Sequence, residues 1–325
     1  MPCSGDKGIT YEKEIGLSKT WKSKYSEKSI GYNSYKSGDT DITIPDGTWS
    51  DNGGNLDSVR TYGGFYIARY EAGVSSVADF YANTDGATYE RGTKKNIATC
   101  LPVSKKNNQC WNFISQENAV KVSSNMYSGS QVVTSSLVDS YAWDTIVEWM
   151  IKNENYKNLG NDSSSKGNYC DNDKINLTNT LYALHRHGNH KNTNVSDYWS
   201  YATKYHKGEI TSGIVYINST IGAKYDFTDN NYDTINFNYT VRKELATGAS
   251  EDTKINNIYD MAGNMWEWTT ETGKQNESNE ICAVLRGGSF GCNGFTYSLV
   301  YRDGNSVKTW KSVEYGFRVV LYILK

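Results

Sequence analysis

Residues 285–305 read LRGGSFGCNGFTYSLVYRDGN. One thiol, that of Cys292, stands there among glycines, aromatic rings and small polar groups. Such a thiol is either a nucleophile or soft-metal ligand, roles that need the thiolate, or a bystander on a surface built for contact. A second stretch with chemical potential is HRHGNH, which holds His185, His187 and His190, with His206 downstream. Two imidazoles two residues apart can share a strand face and suit a transition metal. No cysteine or acidic ligand completes a set at recognised spacing, so a solvated histidine-rich loop is the simpler reading. Cys100 and Cys110 close a short loop and are candidates to pair. The six cysteines (Cys3, Cys100, Cys110, Cys170, Cys282, Cys292) include no CxxC and are too scattered for a disulfide-stapled scaffold or a zinc ribbon.

The elements that must position these groups are only partly regular. Residues 1–60 are polar, with a strand expected in DITIPDGTW, and read as an N-terminal arm or linker. In YGGFYIARYEAG, Phe65, Ile67 and Arg69 alternate with Tyr66, Ala68 and Tyr70, which is strand periodicity between glycines. Two helices follow. SQENAVKVSSNMY opens on Ser115 as N-cap with Glu117 in the first turn. DSYAWDTIVEWMI opens on Asp139 or Ser140 and places Trp143, Ile146, Val147 and Met150 on one apolar face. Residues 152–250 are rich in Asn, Asp, Ser and Gly, and read as a loop-rich insertion with strand-like patches at SGIVYINST and TINFNYTV.

Composition narrows the partners. A formal charge of −2 gives no reason to expect nucleic acid. The longest apolar run, VVLYIL, is far too short to span a bilayer, and the first residues lack a secretory signal's apolar stretch. The 26 Tyr and 9 Trp, with abundant Asn, Ser and Gly, suit surfaces that bind through stiff rings and adaptable hydrogen bonds; an AT-rich genome would give the same bias.

NIYDMAGNMWEWTTE (257–271), LRGGSF and YGFRVVLYI form an ordered trio in the last quarter, preceded upstream by GGFYIARYEAG. With these motifs the chain resembles the formylglycine-generating-enzyme (sulfatase-modifying factor) family over residues 61–325. The resemblance implies an irregular α+β, C-type-lectin-like domain with few helices, short antiparallel strands and much loop. Read as residues, Trp266 and Trp268 alternate with Glu267, so two indoles face one way and a carboxylate the other. The glycines before Ser289 let backbones pass closely. Phe317, Val319 and Leu321 alternate as a buried terminal strand should.

Some enzymes of the family carry calcium at the YDMAGNMWE position. Carried over, the ligands are the side chains of Asp260 and Glu267 and the carbonyls of Gly263 and Met265, for a structural ion. Active members use two cysteines to bind copper and oxidise a peptidyl cysteine. Cys292 and Ser289 match the first thiol and its serine, but the second thiol's position holds Tyr297, and soft Cu(I) wants two thiolates. Cys282 lies at the wrong spacing. The resemblance therefore leaves the stretch 291–315 for binding, as in the variable proteins of diversity-generating retroelements on phage tails and bacterial surfaces. The expected contact residues are Asn293, Phe295, Tyr297, Tyr301, Asp303, Asn305 and Trp310. The expectation is a non-enzymatic receptor-recognition protein at a cell surface or on a virion, docking a protein or glycan, with no required cofactor and no membrane insertion. The alternatives are a copper-dependent oxidase and a structural virion component.

Overall fold

Short strands and well-capped helices alternate along the chain, as the glycine punctuation and the local periodicities dictate. The computed structural model describes residues 47–51, 56–75, 99–151, 155–172, 175, 180–189, 199–201, 206–208, 238–275 and 280–324. In chain order the elements begin with strand β1 (Gly47–Asp51), helix α1 (Leu56–Tyr62) and strands β2 (Tyr66–Ile67), β3 (Gly73–Val74) and β4 (Pro102–Val103). Helix α2 (Gln116–Asn125), strand β5 (Val133–Leu137) and helix α3 (Ser140–Ile151) follow. Strands β6 (Thr180–Asn189), β7 (Trp199–Tyr201), β8 (His206–Gly208) and β9 (Asn238–Leu245) come next. The last stretch holds β10 (Lys254–Ile255), β11 (Ile258–Tyr259), β12 (Trp266–Gln275), β13 (Ile281–Arg286), β14 (Arg302–Val307), β15 (Tyr315–Phe317) and β16 (Val319–Ile323).

Both expected helices form, and for the expected reason. Ser115 accepts the amide of Asn118 at 3.4 Å to open α2, and Asp139 Oδ1 accepts the amide of Ala142 at 2.8 Å to open α3. Along α3 Ala142, Trp143, Ile146, Val147 and Met150 are wholly buried, the apolar face turned inward. Together they are the few helices and many short, mostly antiparallel strands of an irregular α+β domain.

The main sheet has the order β1-β12-β13-β14, with β15 parallel to the first residues of β12. A second sheet runs β2-β16-β5, antiparallel throughout. Between β15 and β16 the chain changes sheets at Arg318. That break shifts the alternation read from the sequence: Phe317, Val320 and Tyr322 are the fully covered residues, and Leu321 is half-buried. Tyr66 of β2 is exposed while Phe65 and Ile67 are buried, as expected, although the strand is only two residues long.

Two regions are more ordered than their composition suggests. β1, from the segment read as an arm, pairs with the far half of β12. Within the expected insertion, β6 pairs with β9 on one edge and with β7 and β8 on the other, a four-stranded sheet that includes part of TINFNYTV. SGIVYINST lies outside the described residues. Leu159 and Tyr169, nearer the start of that region, are core residues.

Among the described residues the two larger core clusters lie on α3 and on the inner face of the main sheet around Trp111, Trp266, Trp268 and Phe317, with a smaller one at Cys110, Met265, Phe290 and Val313. Cys292 packs against both of the larger clusters.

Candidate functional site: a crevice around Cys292

The β13 strand ends at Arg286 and runs into Gly287 and Gly288, both left-handed at φ +86° and +76°. A side chain at Gly288 would put its Cβ 2.4 Å from the carbonyl oxygen of Tyr297, so glycine is obligatory for this crossing. The chain then turns through Ser289 to Cys292, whose amide donates to the Ser289 carbonyl at 3.0 Å. Two further bonds tie this loop to the 155–172 segment. The amide of Cys170 donates to the Cys292 carbonyl at 2.8 Å, and that of Ser163 to the Gly294 carbonyl at 3.0 Å.

Cys292 is half-buried at the seam of the two larger core clusters. Its sulfur lies 3.4 Å from Ser289 Oγ, and that hydroxyl also donates to the Glu314 carboxylate. Burial, then the Glu314 charge, push the thiol up to about 12, against opposing hydrogen bonds from Ser289 and Trp266. It is therefore a protonated thiol at neutral pH. Tyr297, five residues on, packs edge-on to Trp266 (5.7 Å, 79°) and Tyr301 (4.9 Å, 63°), while Trp266 and Tyr301 meet at 5.5 Å and 61°. Tyr315 is edge-on to Trp268 at 5.2 Å and shares a 3.1 Å hydrogen bond with Ser306. Asp303 and Glu314, both half-buried, are close enough to help burial raise the phenols of Tyr297 and Tyr315.

The seven expected contact residues do not act alike. Tyr297 and Asp303 are both half-buried, with the Asp303 charge acting on the Tyr297 phenol. Tyr301 is a correction: at 8% exposure it is part of the core beneath, because Trp266 and Tyr297 cover its ring. Asn293 spends its side-chain oxygen on the Thr296 amide at 2.7 Å, holding the turn. Phe295 and Trp310 are 50% and 54% exposed, and among the described residues neither makes a ring contact with the cluster. Asn305 lies on β14. Sequence reasoning missed Glu314, Trp266 and Cys170 as neighbours of the thiol. The only signal for Glu314 was a carboxylate immediately before the YGFR motif, and nothing in the spacing tied Cys170 to Cys292.

The two carboxylates expected to hold calcium are engaged by protein partners. Both carboxylate oxygens of Glu267 accept from Arg318, with Nη2 at 2.6 Å and Nε at 3.0 and 3.1 Å. Asp260 gives one oxygen to Thr253 Oγ1 and the other to the Gly248 amide, each at 2.6 Å. A guanidinium thus neutralises the one carboxylate and a turn engages the other, so both expected calcium ligands are held by protein donors. Arg318, the arginine of that same YGFR motif, is the partner that the sequence did not reveal. Among the described residues no group of three or more His, Cys, Asp or Glu is placed to hold a metal ion. His185 and His187 fall on β6 and His206 on β8, while His190 lies outside the described residues.

At the copper positions of the resemblance the second residue is the phenol of Tyr297 instead of a thiol, and a thiol with a phenol is a poor pair for Cu(I). Cys282 pairs across β13 with Gly273 and Val307, about 13 Å back along the strand from Arg286. Cys100 and Cys110, the candidates to pair, are both buried and are not joined by a disulfide.

No curated protein matches the chain significantly. A solved structure titled "Crystal Structure of CarF" is similar at 13% identity and a TM-score of 0.39, covering 86% of this chain and 99% of that one. The family described as "Sulfatase-modifying factor enzyme 1-like domain" matches residues 30–323. With a match of that extent and with the GNMWEW, RGGS and GFR motifs meeting around one thiol, this chain belongs to the sulfatase-modifying factor enzyme 1-like family.

Proposed function

We propose that this chain is a ligand-binding member of its family, whose crevice docks a peptide or glycan at a cell or virion surface instead of oxidising a cysteine. The observation that carries the reading is Tyr297. Its ring stands where a second thiol is needed and is held edge-on against Trp266 and Tyr301. A rigid aromatic wall beside half-buried Asp303 and Glu314 is the combination found at the centre of recognition surfaces.

The test pairs binding with chemistry. The full chain is screened on peptide and glycan arrays, wild type against Tyr297→Ala, while oxygen uptake is followed with cysteine-bearing peptides and copper. Array signals that fall with Tyr297→Ala, together with no oxygen uptake, are expected. Copper-dependent oxygen uptake that disappears in Cys292→Ser would overturn the proposal.

Cys170 favours one second reading. Its amide donates to the Cys292 carbonyl at 2.8 Å, which makes the two cysteines direct main-chain neighbours. In this reading Cys170 replaces the missing thiol and a copper-dependent oxidase survives. It predicts tight Cu(I) retention that both Cys170→Ser and Cys292→Ser abolish; retention unchanged by Cys170→Ser removes it.

A further inference from the structure

Three groups meet at the Ser289 hydroxyl, in an order that fixes where its proton and lone pairs go. The hydroxyl donates to the Glu314 carboxylate, and its oxygen accepts the Gly291 amide at 3.1 Å. Cys292 Sγ lies 3.4 Å from the same oxygen. A hydroxyl has one proton and two lone pairs, so with its proton on Glu314 the contact with sulfur is made by the S–H as donor. The line from thiol to hydroxyl to carboxylate therefore runs in one direction. Both ends are held by main chain: the Trp266 amide donates to the Glu314 carbonyl and the Cys170 amide to the Cys292 carbonyl, each at 2.8 Å. Ser289 is buried, whereas Cys292 and Glu314 are half-buried, so the two ends are less enclosed than the middle.

The other ionisable groups that feel the sulfur's charge are the phenols of Tyr169, Tyr297, Tyr301 and Tyr315, all pushed up by burial, with Asp303 acting on the last three. The Trp266 side chain donates to the sulfur, which eases loss of its proton. Glu314 acts on the thiol in two opposed ways. Across space its charge makes ionisation harder, while through Ser289 the same carboxylate is placed to take the proton.

We propose that Cys292, Ser289 and Glu314 form a proton relay that makes the thiol a nucleophile, with which the crevice captures an uncharged conjugated carbonyl compound covalently. Sulfur bonds to the β-carbon as the carbon–carbon π bond breaks toward the α-carbon. The thiol proton passes to the Ser289 oxygen and the Ser289 proton to Glu314, whose proton then returns to the α-carbon, so no further reactant is consumed. Addition of this kind gives back the one proton the relay stores and expels no leaving group, and the Glu314 charge disfavours anionic electrophiles. This activity goes beyond docking and does not depend on it.

The experiment treats the full chain with acrylamide from pH 5 to 9. Adduct at Cys292 is followed by peptide mapping, with Cys292→Ser as the blank. The wild-type rate constant is expected to vary little with pH around neutrality. Glu314→Gln and Ser289→Ala are each expected to lower it about a hundredfold at pH 7 and to restore the climb of about tenfold per pH unit of an unassisted thiol, with Tm measured on both. Electrostatics alone predicts the reverse for Glu314→Gln, because removing the charge eases ionisation and speeds addition. A faster Glu314→Gln, a wild-type rate that climbs about tenfold per pH unit throughout, or no adduct at millimolar acrylamide overturns the proposal. The wild-type profile decides even if a variant fails to fold. Array binding lost in Tyr297→Ala bears on docking alone, so the two readings fail separately.

Discussion

Single side chains in the 291–315 stretch divide by burial, and that division is testable. Tyr301 is 8% exposed beneath Trp266 and Tyr297, whereas Trp310 is 54% exposed on the turn after β14. Tyr301→Ala is expected to cost about 3–5 kcal/mol of stability, the range of a large aromatic removed from a core. Trp310→Ala is expected to stay within about 0.5 kcal/mol of wild type, as surface changes do. Urea denaturation of the two variants decides the matter, and comparable losses in both would show that the surface and core are wrongly divided here. Tyr297 is intermediate, its ring half-covered, so its removal should weaken ligand binding more than it weakens the fold.

At the level of elements, the crevice depends on a close approach between the 155–172 segment and the AGNM turn before β12. Gly263 is left-handed at φ +70°, and its main chain forms a parallel bridge with Asn168. A Cβ there would meet the Asn168 carbonyl oxygen at 2.6 Å, with the carbonyl carbon and amide nitrogen inside 3.0 Å. Gly263→Ala is therefore expected to destabilise by roughly 2–4 kcal/mol, since backbone cannot yield as a flexible side chain would. Thermal melting is the check, and an unchanged Tm would show that the segment is free to retreat. This contact was not legible in the sequence. The helices were, because Ser115, Asp139 and the apolar face of α3 are local signals, and so was the opposition of Glu267 to Trp266 and Trp268 on β12. The pairing of Cys170 with Cys292 joins residues more than a hundred apart, and Glu267 with Arg318 more than fifty apart, with no periodicity to announce either. Within the expected insertion, β9 (NYTVRKEL) carries little hydrophobic alternation, so its length and its pairing with β6 come from cross-strand contacts that no local pattern announces.

Across the whole molecule, the interior holds charge as well as hydrocarbon. Asp144–Arg286, Glu271–Arg302 and Glu267–Arg318 are fully covered ion pairs, and Glu71 and Asp260 are buried near the last of them. Burial raises the carboxyls of Glu71, Asp260 and Glu267, and it raises Asp144 from 3.8 to about 6 despite Arg286. Each of these acids keeps its proton to higher pH when folded than when unfolded. The unfolded chain therefore binds fewer protons from about pH 4 upward, and stability falls as pH rises until the folded groups ionise. For Asp144 alone the rise corresponds to about 3 kcal/mol, lost between about pH 4 and 6. Urea unfolding at steps from pH 4 to 7 is expected to show that decline, with a shallower slope in Asp144→Asn; a rising or flat profile would contradict it. The loop that bears Cys292 has a different kind of support. Its path is secured by main-chain bonds from Cys170, Ser163 and Cys292 itself, by the side chains of Asn293, Asp171 and Ser289 on its amides, and by the glycines at 288 and 294, not by the exposed Phe295. A combinatorial library randomised at the exposed Phe295 would therefore leave the loop's path intact, and the domain is suited to displaying engineered specificities on a backbone that does not register the change.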